Sequence, residues 1–306
     1  MMRLFLGLLT CAMIGHVSLA SAIVAKQASK PAGKSVSGIL VPHRAVYEIS
    51  LANKKEAVSV SNVRGRMVFE ITGSPCEGYT QNMRMITSTT DERGVKSLSD
   101  IRSSTWEQGR GKRLRFSSSQ YLDSQLQEVV SGDARRSRNR KNINVKVDRP
   151  GATVLDLPGD ALFPAQHSLA IIRAAKAGEK QLDVRIYDGS EQGQGFYKTY
   201  SFIGKKIPAI AKDPNRNKSK KSKKKAKKLA GLGLAKMPSW PVAVSYFNGE
   251  GNSDDTIPSY ELSFRMYPNG VSGNLLINYG NFSVRGRLDK IKYLRTGSCK
   301  RKKHKR

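Results

Sequence analysis

The stretch NVRGRMVFEIT, residues 62–72, sets Val63, Met67, Phe69 and Ile71 on one face and Arg64, Arg66 and Glu70 on the other. A period of two is the mark of a half-buried strand, because successive side chains leave opposite sides of a pleated backbone. The pattern repeats outward from there. HRAVYEISL, from His43, aligns Ala45, Tyr47, Ile49 and Leu51, and similar alternation runs over 79–87, 114–118, 143–147, 182–186, 260–266 and 282–288. Turn signals separate these runs: ERG at 92–94, SGD at 131–133, YDG at 187–189, FNGEGN at 247–252 and YPNG at 267–270. The expected fold class is therefore all-β, roughly a dozen antiparallel strands curled around their own core in one domain. A transmembrane barrel shows the same alternation, but needs an outer face that is apolar and banded with aromatics. Aromatics make up only 7% of this chain and charges run through most strands, which favours a water-soluble barrel.

The N-terminus reads as an export signal. MMRLFLGLLTCAMIGHVSLASA has one early positive charge, Arg3, an apolar run, and Ala20-Ser21-Ala22 as a cleavage pattern. The run is shorter than a spanning helix requires and His16 interrupts it. Removal of residues 1–22 takes Cys11 with it and leaves two thiols, Cys76 in GSPCEGYT and Cys299 in TGSCKR. An even count in an oxidising compartment points to a disulfide. Two buried reduced thiols are the alternative, against which stand the polar, glycine-rich surroundings of both. A C-x-x-C redox motif is absent.

Charge divides the chain further. It has 54 Lys plus Arg against 24 Asp plus Glu, a net charge of +30. Two blocks concentrate this excess: 212–228, KDPNRNKSKKSKKKAKK, and the tail 300–306, KRKKHKR. Such blocks repel themselves and hide no apolar face, so both are expected to be disordered, as is the linker 23–39. Lys220, Lys221, Lys223, Lys224 and Lys225 would contact an anionic membrane surface or envelope polymer. A solvated insertion without a partner is the equal alternative. Nucleic acid is not the expected partner, since no aromatic residue interleaves with the lysines to stack bases.

One helix stands out, LFPAQHSLAIIRAAKAG, with Pro164 in the tolerated first turn and Gly178 at the stop. It would plug the barrel or cover a cavity. PHRAVYEISL, GSPCEGYT, SSTWE at 103–107, LFPAQHS at 162–168 and YPNGVSGNLLINYGNFSVRGRL together resemble the EipB family of periplasmic cell-envelope integrity proteins, long held as a domain of unknown function. The resemblance covers about residues 40–299. It implies a spiral-like β-barrel akin to the LolA and LolB lipoprotein carriers, closed by a Cys76–Cys299 disulfide, and a role in envelope integrity without known enzymatic activity. The lysine-rich insert and tail depart from the family pattern.

A catalytic set of Ser168, His167 and Asp160 is conceivable, but no G-x-S-x-G elbow supports it. His43 is expected to cap a strand by hydrogen bonding. No H-x-x-x-H or C-x-x-C spacing offers a metal site, and GEGNSDD, 249–255, only faintly resembles a calcium loop. Trp106 and Glu107 are expected to be a core tryptophan beside a satisfied carboxylate. The reading is a non-enzymatic, cofactor-free periplasmic monomer that binds a lipid, a lipoprotein or an envelope protein. Tyr47, Val63, Met67, Phe69, Met83 and Met85 would line a cavity or form ordinary core. An envelope hydrolase centred on His167, or a scaffold held to anionic surfaces by its lysines, are the alternatives.

Overall fold

A computed structural model describes residues 40–55, 59–210, 220–249 and 257–295. The leader, the linker 23–39, residues 250–256 of the acidic loop, Cys299 and the basic tail lie outside them. Eight strands come first: β1 (His43–Lys54), β2 (Val60–Ser74), β3 (Gly78–Asp91), β4 (Lys96–Glu107), β5 (Arg113–Leu122), β6 (Gln125–Arg136), β7 (Asn142–Arg149) and β8 (Thr153–Pro158). Helix α1 (Pro164–Ala177) follows, then β9 (Gln181–Ile186), β10 (Tyr197–Ile203), α2 (Lys220–Gly231), β11 (Trp240–Asn248), β12 (Tyr260–Met266), β13 (Ser272–Asn278) and β14 (Phe282–Tyr293).

All fourteen strands form one antiparallel sheet in the order β8-β7-β6-β5-β4-β3-β2-β1-β14-β13-β12-β11-β10-β9. The chain starts mid-sheet at β1 and zips outward by hairpins to β8. It then crosses through α1 to the far end at β9 and works back, until β14 pairs with β1 from His43↔Tyr293 to Lys54↔Phe282. The ladder does not close. β8 and β9 are its ends, joined after β8 by a single parallel bridge from Leu162 to Ile186.

The alternation of β2 is realised as expected: Val63 and Ile71 are buried while Arg64 and Arg66, between them, face outward. Charges on the outer face pair across strands. Asp100 accepts from Arg84 on β3 as well as from Arg102 on its own strand, and Arg66 pairs with Glu48. The SGD stretch, expected as a turn, instead continues β6. Its glycine is there for space, because a side chain at Gly132 would strike the Phe116 ring from the neighbouring strand.

Two apolar clusters fill the interior. The larger joins β1, β2 and the β9–β14 half to the buried face of α1, including Ala165, Ile171 and Ile172. The smaller gathers Leu114, Phe116, Val130, Ile143 and Val145 of β5–β7 around Phe163 and Tyr187.

The second helix corrects the expectation of disorder for 220–228, since residues 220–231 are helical, while 212–219 lie outside the described residues. Lys, Ala and Leu are strong helix formers and nothing from Lys220 to Ala230 breaks a helix. A Schellman end fixes the stop: Leu234 N–H donates to the Leu229 carbonyl at 2.8 Å and Gly233 N–H to that of Ala230 at 2.9 Å, with Gly233 at φ 70°. Leu232 and Leu234 sit in the larger core with Leu229 against them, so apolar burial outweighs the lysine repulsion.

Candidate functional site

Three consecutive rows of inward-facing residues cross β2–β6. Ile71, Gln81, Thr105 and Phe116 face one another in register. Phe69, Met83, Ser103, Ser118 and Val130 form the next row, and Met67, Met85, Ile101, Gln120 and Glu128 the third. Elsewhere the buried positions are mostly apolar. On β3–β5 Gln81, Ser103, Thr105, Ser118 and Gln120 interrupt the apolar residues of these rows, and a cavity of about 410 Å³ lies over them. Its floor is Phe69, Met83, Ile101, Phe116 and Val130; Ser103, Thr105 and Ser118 add hydroxyls; Pro164 of α1 closes one side.

The remaining wall is the loop after β9. Tyr187 meets Phe116 edge to face at 5.7 Å and donates through its hydroxyl to the Gly193 carbonyl at 2.9 Å. Asp188 accepts from the Ser190 amide at 2.9 Å, and Glu191 accepts from the Tyr197 hydroxyl. Glu191 and Gln192 both hold positive φ, 50° and 56°, a conformation that only surrounding contacts make tenable. Behind Tyr197, the rings of Tyr246 and Tyr260 stack at 4.3 Å, and burial raises all three phenols well above their ordinary pKa.

Of the six residues expected at a cavity, Phe69 and Met83 line this one. Tyr47 and Val63 belong to the larger core with Met67 packed against it, and Met85 is buried. Tyr47 donates to the Ser272 carbonyl at 2.7 Å.

The residues weighed as a catalytic set are not brought together. Ser168 Oγ donates back to the Pro164 carbonyl at 3.1 Å, and the exposed Asp160 accepts from Arg185 at 2.5 Å. His167 is buried, with Nε2 unpartnered and its pKa lowered to about 4 by burial. Among the described residues, no group of three His, Cys, Asp or Glu could hold a metal ion. His43 makes the expected capping bond, Nδ1 to the Val41 carbonyl at 2.7 Å.

Glu107 is a satisfied carboxylate with a specific task. Its Oε2 accepts from the Ala165 amide at 2.7 Å and the Gln166 amide at 3.4 Å, so a side chain of β4 caps the N-terminus of α1. Burial raises its pKa to about 7, opposed by those amides and by Arg136. Sequence reasoning missed Arg136, a buried guanidinium lying 5.0 Å over the Phe163 ring. It also missed the 187–193 wall, of which only YDG, 187–189, was legible, as a turn.

His167 yields a prediction with a definite sign. A neutral buried histidine with a folded pKa near 4 and an unfolded value near 6.5 contributes nothing above pH 6.5. As pH falls through 6.5 only the unfolded chain takes the proton, so stability is lost progressively until about pH 4. His167→Leu should therefore gain about 2 kcal/mol over wild type at pH 5 relative to the same difference at pH 7. Glu107 works the other way, its folded form taking a proton first between pH 7 and 4.5, but that contribution cancels between wild type and variant. Urea unfolding at the two pH values measures the shift, and equal differences would contradict it.

Comparison with known proteins places the fold. The EipB-like family model matches residues 35–295. The chain belongs to the EipB-like family. An EipB-like relative, the cell envelope integrity protein EipB of Brucella abortus (strain 2308), is 34% identical over 261 residues, 85% of this chain and 87% of its own length. The crystal structure of a beta-barrel-like protein of a domain of unknown function, also from Brucella abortus, matches with a TM-score of 0.72 and 32% identity. The match covers 85% of this chain and all of that one. The EipB-like match thus spans both halves of the sheet, including every strand that lines the cavity.

Proposed function

We propose that this protein is an exported, non-enzymatic binding protein that supports the integrity of the cell envelope from the periplasm. The family membership and the printed role of the Brucella relative support the envelope assignment. The cavity of about 410 Å³ carries the binding assignment. It falls within the size range of small-ligand sites, and its apolar floor suits a lipid chain or the acyl end of a lipoprotein, beside walls that carry hydroxyls and the carboxylates of Glu128, Asp188 and Glu191. Methionine on the floor can adapt to a flexible chain.

A Cys76–Cys299 disulfide belongs to the same proposal. Ile71 of β2 and Tyr293 of β14 both pair with His43, one on each side of it, which sets them about 10 Å apart. Five residues lead from Ile71 to Cys76 and six from Tyr293 to Cys299, enough chain for the two sulfurs to meet.

The test is extraction and mass analysis of protein purified from its native envelope. Wild type should carry an amphiphile at near-stoichiometric amount, and Ser103→Trp, which fills the middle row of the cavity, should carry at least tenfold less. Empty wild-type protein, or equal loading of the variant, would count against the reading.

A further inference from the structure

The lysine-rich helix does more than decorate the surface. Lys224, Lys227 and Lys228 recur at the spacing that stacks side chains on one helix face, and all three are exposed. Ala226 and Leu229 on the opposite side are half-buried, and the Schellman end locks the last turn to the core through Leu232 and Leu234. The ammonium groups are therefore carried on a fixed mount, unlike those of a solvated tail.

Between α2 and β14 lies an open cleft of about 570 Å³, and Lys290 reaches it from the strand side. Four lysines border this cleft against one carboxylate, Asp289, which faces Arg287 at 3.8 Å. Beyond it on β14 the exposed Lys292 adds a further positive charge, while Arg44 opposite it on β1 is paired with Glu70 at 2.6 Å. The floor is Leu232 and Ile291, and among the described residues lining the cleft none is aromatic, Tyr293 standing just behind Leu232 with its hydroxyl on the Leu232 carbonyl. Clustered ammoniums seek phosphate; the missing aromatics disfavour single-stranded nucleic acid, which needs stacking surfaces. An apolar floor beneath cations matches a phospholipid, which presents phosphate and hydrocarbon together, better than it matches a free polyphosphate.

We propose that the α2–β14 cleft docks this protein on an anionic phospholipid surface, seating a headgroup phosphate among Lys224, Lys227, Lys228 and Lys290. The inference is independent of the cavity, since no residue is shared between the two.

Cosedimentation of the full mature chain with phosphatidylcholine vesicles, with and without phosphatidylglycerol, tests it. Wild type should bind only the anionic vesicles and release at high salt. Each lysine near an anionic surface contributes about five-fold to partitioning, so Lys290→Gln should weaken binding about five-fold and the triple change at Lys224, Lys227 and Lys228 to Gln roughly 100-fold. The same triple change to Arg should bind like wild type. Lys146→Gln, an equal loss of charge at an exposed position of β7, seven strands from β14, should cost less than two-fold. Circular dichroism of each variant checks that the helix persists. Equal losses at Lys290 and Lys146 would show that net charge alone binds, and overturn the cleft. Equal binding to neutral vesicles, an unaffected triple glutamine variant, or complete displacement by millimolar inorganic phosphate at constant ionic strength would overturn the membrane as occupant.

Discussion

Arg136→Ala should lower the free energy of unfolding by roughly 4 kcal/mol, the largest stability effect expected of any single polar substitution in this protein. The guanidinium sits at the end of β6 and donates to the carbonyls of Gly111 at 2.9 Å and Ala161 at 2.7 Å, to that of Gly159, and to Gln166 Oε1 at 3.3 Å. Those groups come from the turn between β4 and β5, from the exit of β8, and from the first turn of α1. Alanine would strand several carbonyls away from water, each costing about 1–3 kcal/mol if unsatisfied, and would leave Glu107 buried without its cation. Burial lowers the Arg136 pKa to about 10, which still leaves it charged at neutral pH. Arg136→Lys should recover little, because one ammonium cannot reproduce a planar fork that reaches four acceptors. Glu107→Gln should cost less, since its remaining carbonyl oxygen can still cap α1. Equilibrium unfolding in urea measures all three, and a loss under about 1 kcal/mol for Arg136→Ala would refute the assignment.

Phe116→Ala couples stability to binding. Phe116 is a buried anchor of the smaller core and part of the cavity floor. Its ring fits between Gly132 on β6 and Gly189 in the loop after β9, where a Cβ would lie 2.5 and 2.3 Å from ring atoms. Removing a buried phenyl costs about 3–5 kcal/mol. It also takes away the surface against which Tyr187 and the 187–193 loop are braced, so that wall should loosen. Ligand retention, measured as for the Ser103 variant, should drop at least tenfold under conditions where the protein remains folded. Phe116→Leu, which keeps most of the volume, should cost far less in stability and retain ligand. If Phe116→Ala kept full loading, the loop would not be a wall of the site.

Strands were the legible part of this fold, because period-two alternation survives in any half-buried sheet. NVRGRMVFEIT and HRAVYEISL each became strands with the facing that was read from them. Glycine misled at SGD, where the residue clears space for a ring on the adjacent strand and makes no turn. Such a need is visible only when Phe116 and Gly132 are in register. The lysine block misled because charge repulsion is local and readable, whereas the three leucines that fasten α2 act through a tertiary core. The site was partly legible: Phe69 and Met83 were on the page as alternating residues, but the serines opposite them on β4 and β5 gave no periodic signal of a gap. Arg136 looked like one more surface cation in a basic chain, and only the folded path of 109–111 and 159–166 reveals its acceptors.

The sheet order has a consequence for how the chain is made. Every neighbour from β1 to β8 is a hairpin partner that can zip as the polypeptide emerges, but β1 receives its second partner, β14, only when nearly the whole molecule is present. Until then the first strand offers an unpaired hydrogen-bonding margin to any other chain, the hazard that promotes misassembly. The slowest step should accordingly be the zippering of the two outermost segments in sequence, a contact of very long loop length, and premature termination should yield aggregation rather than a stable half-domain.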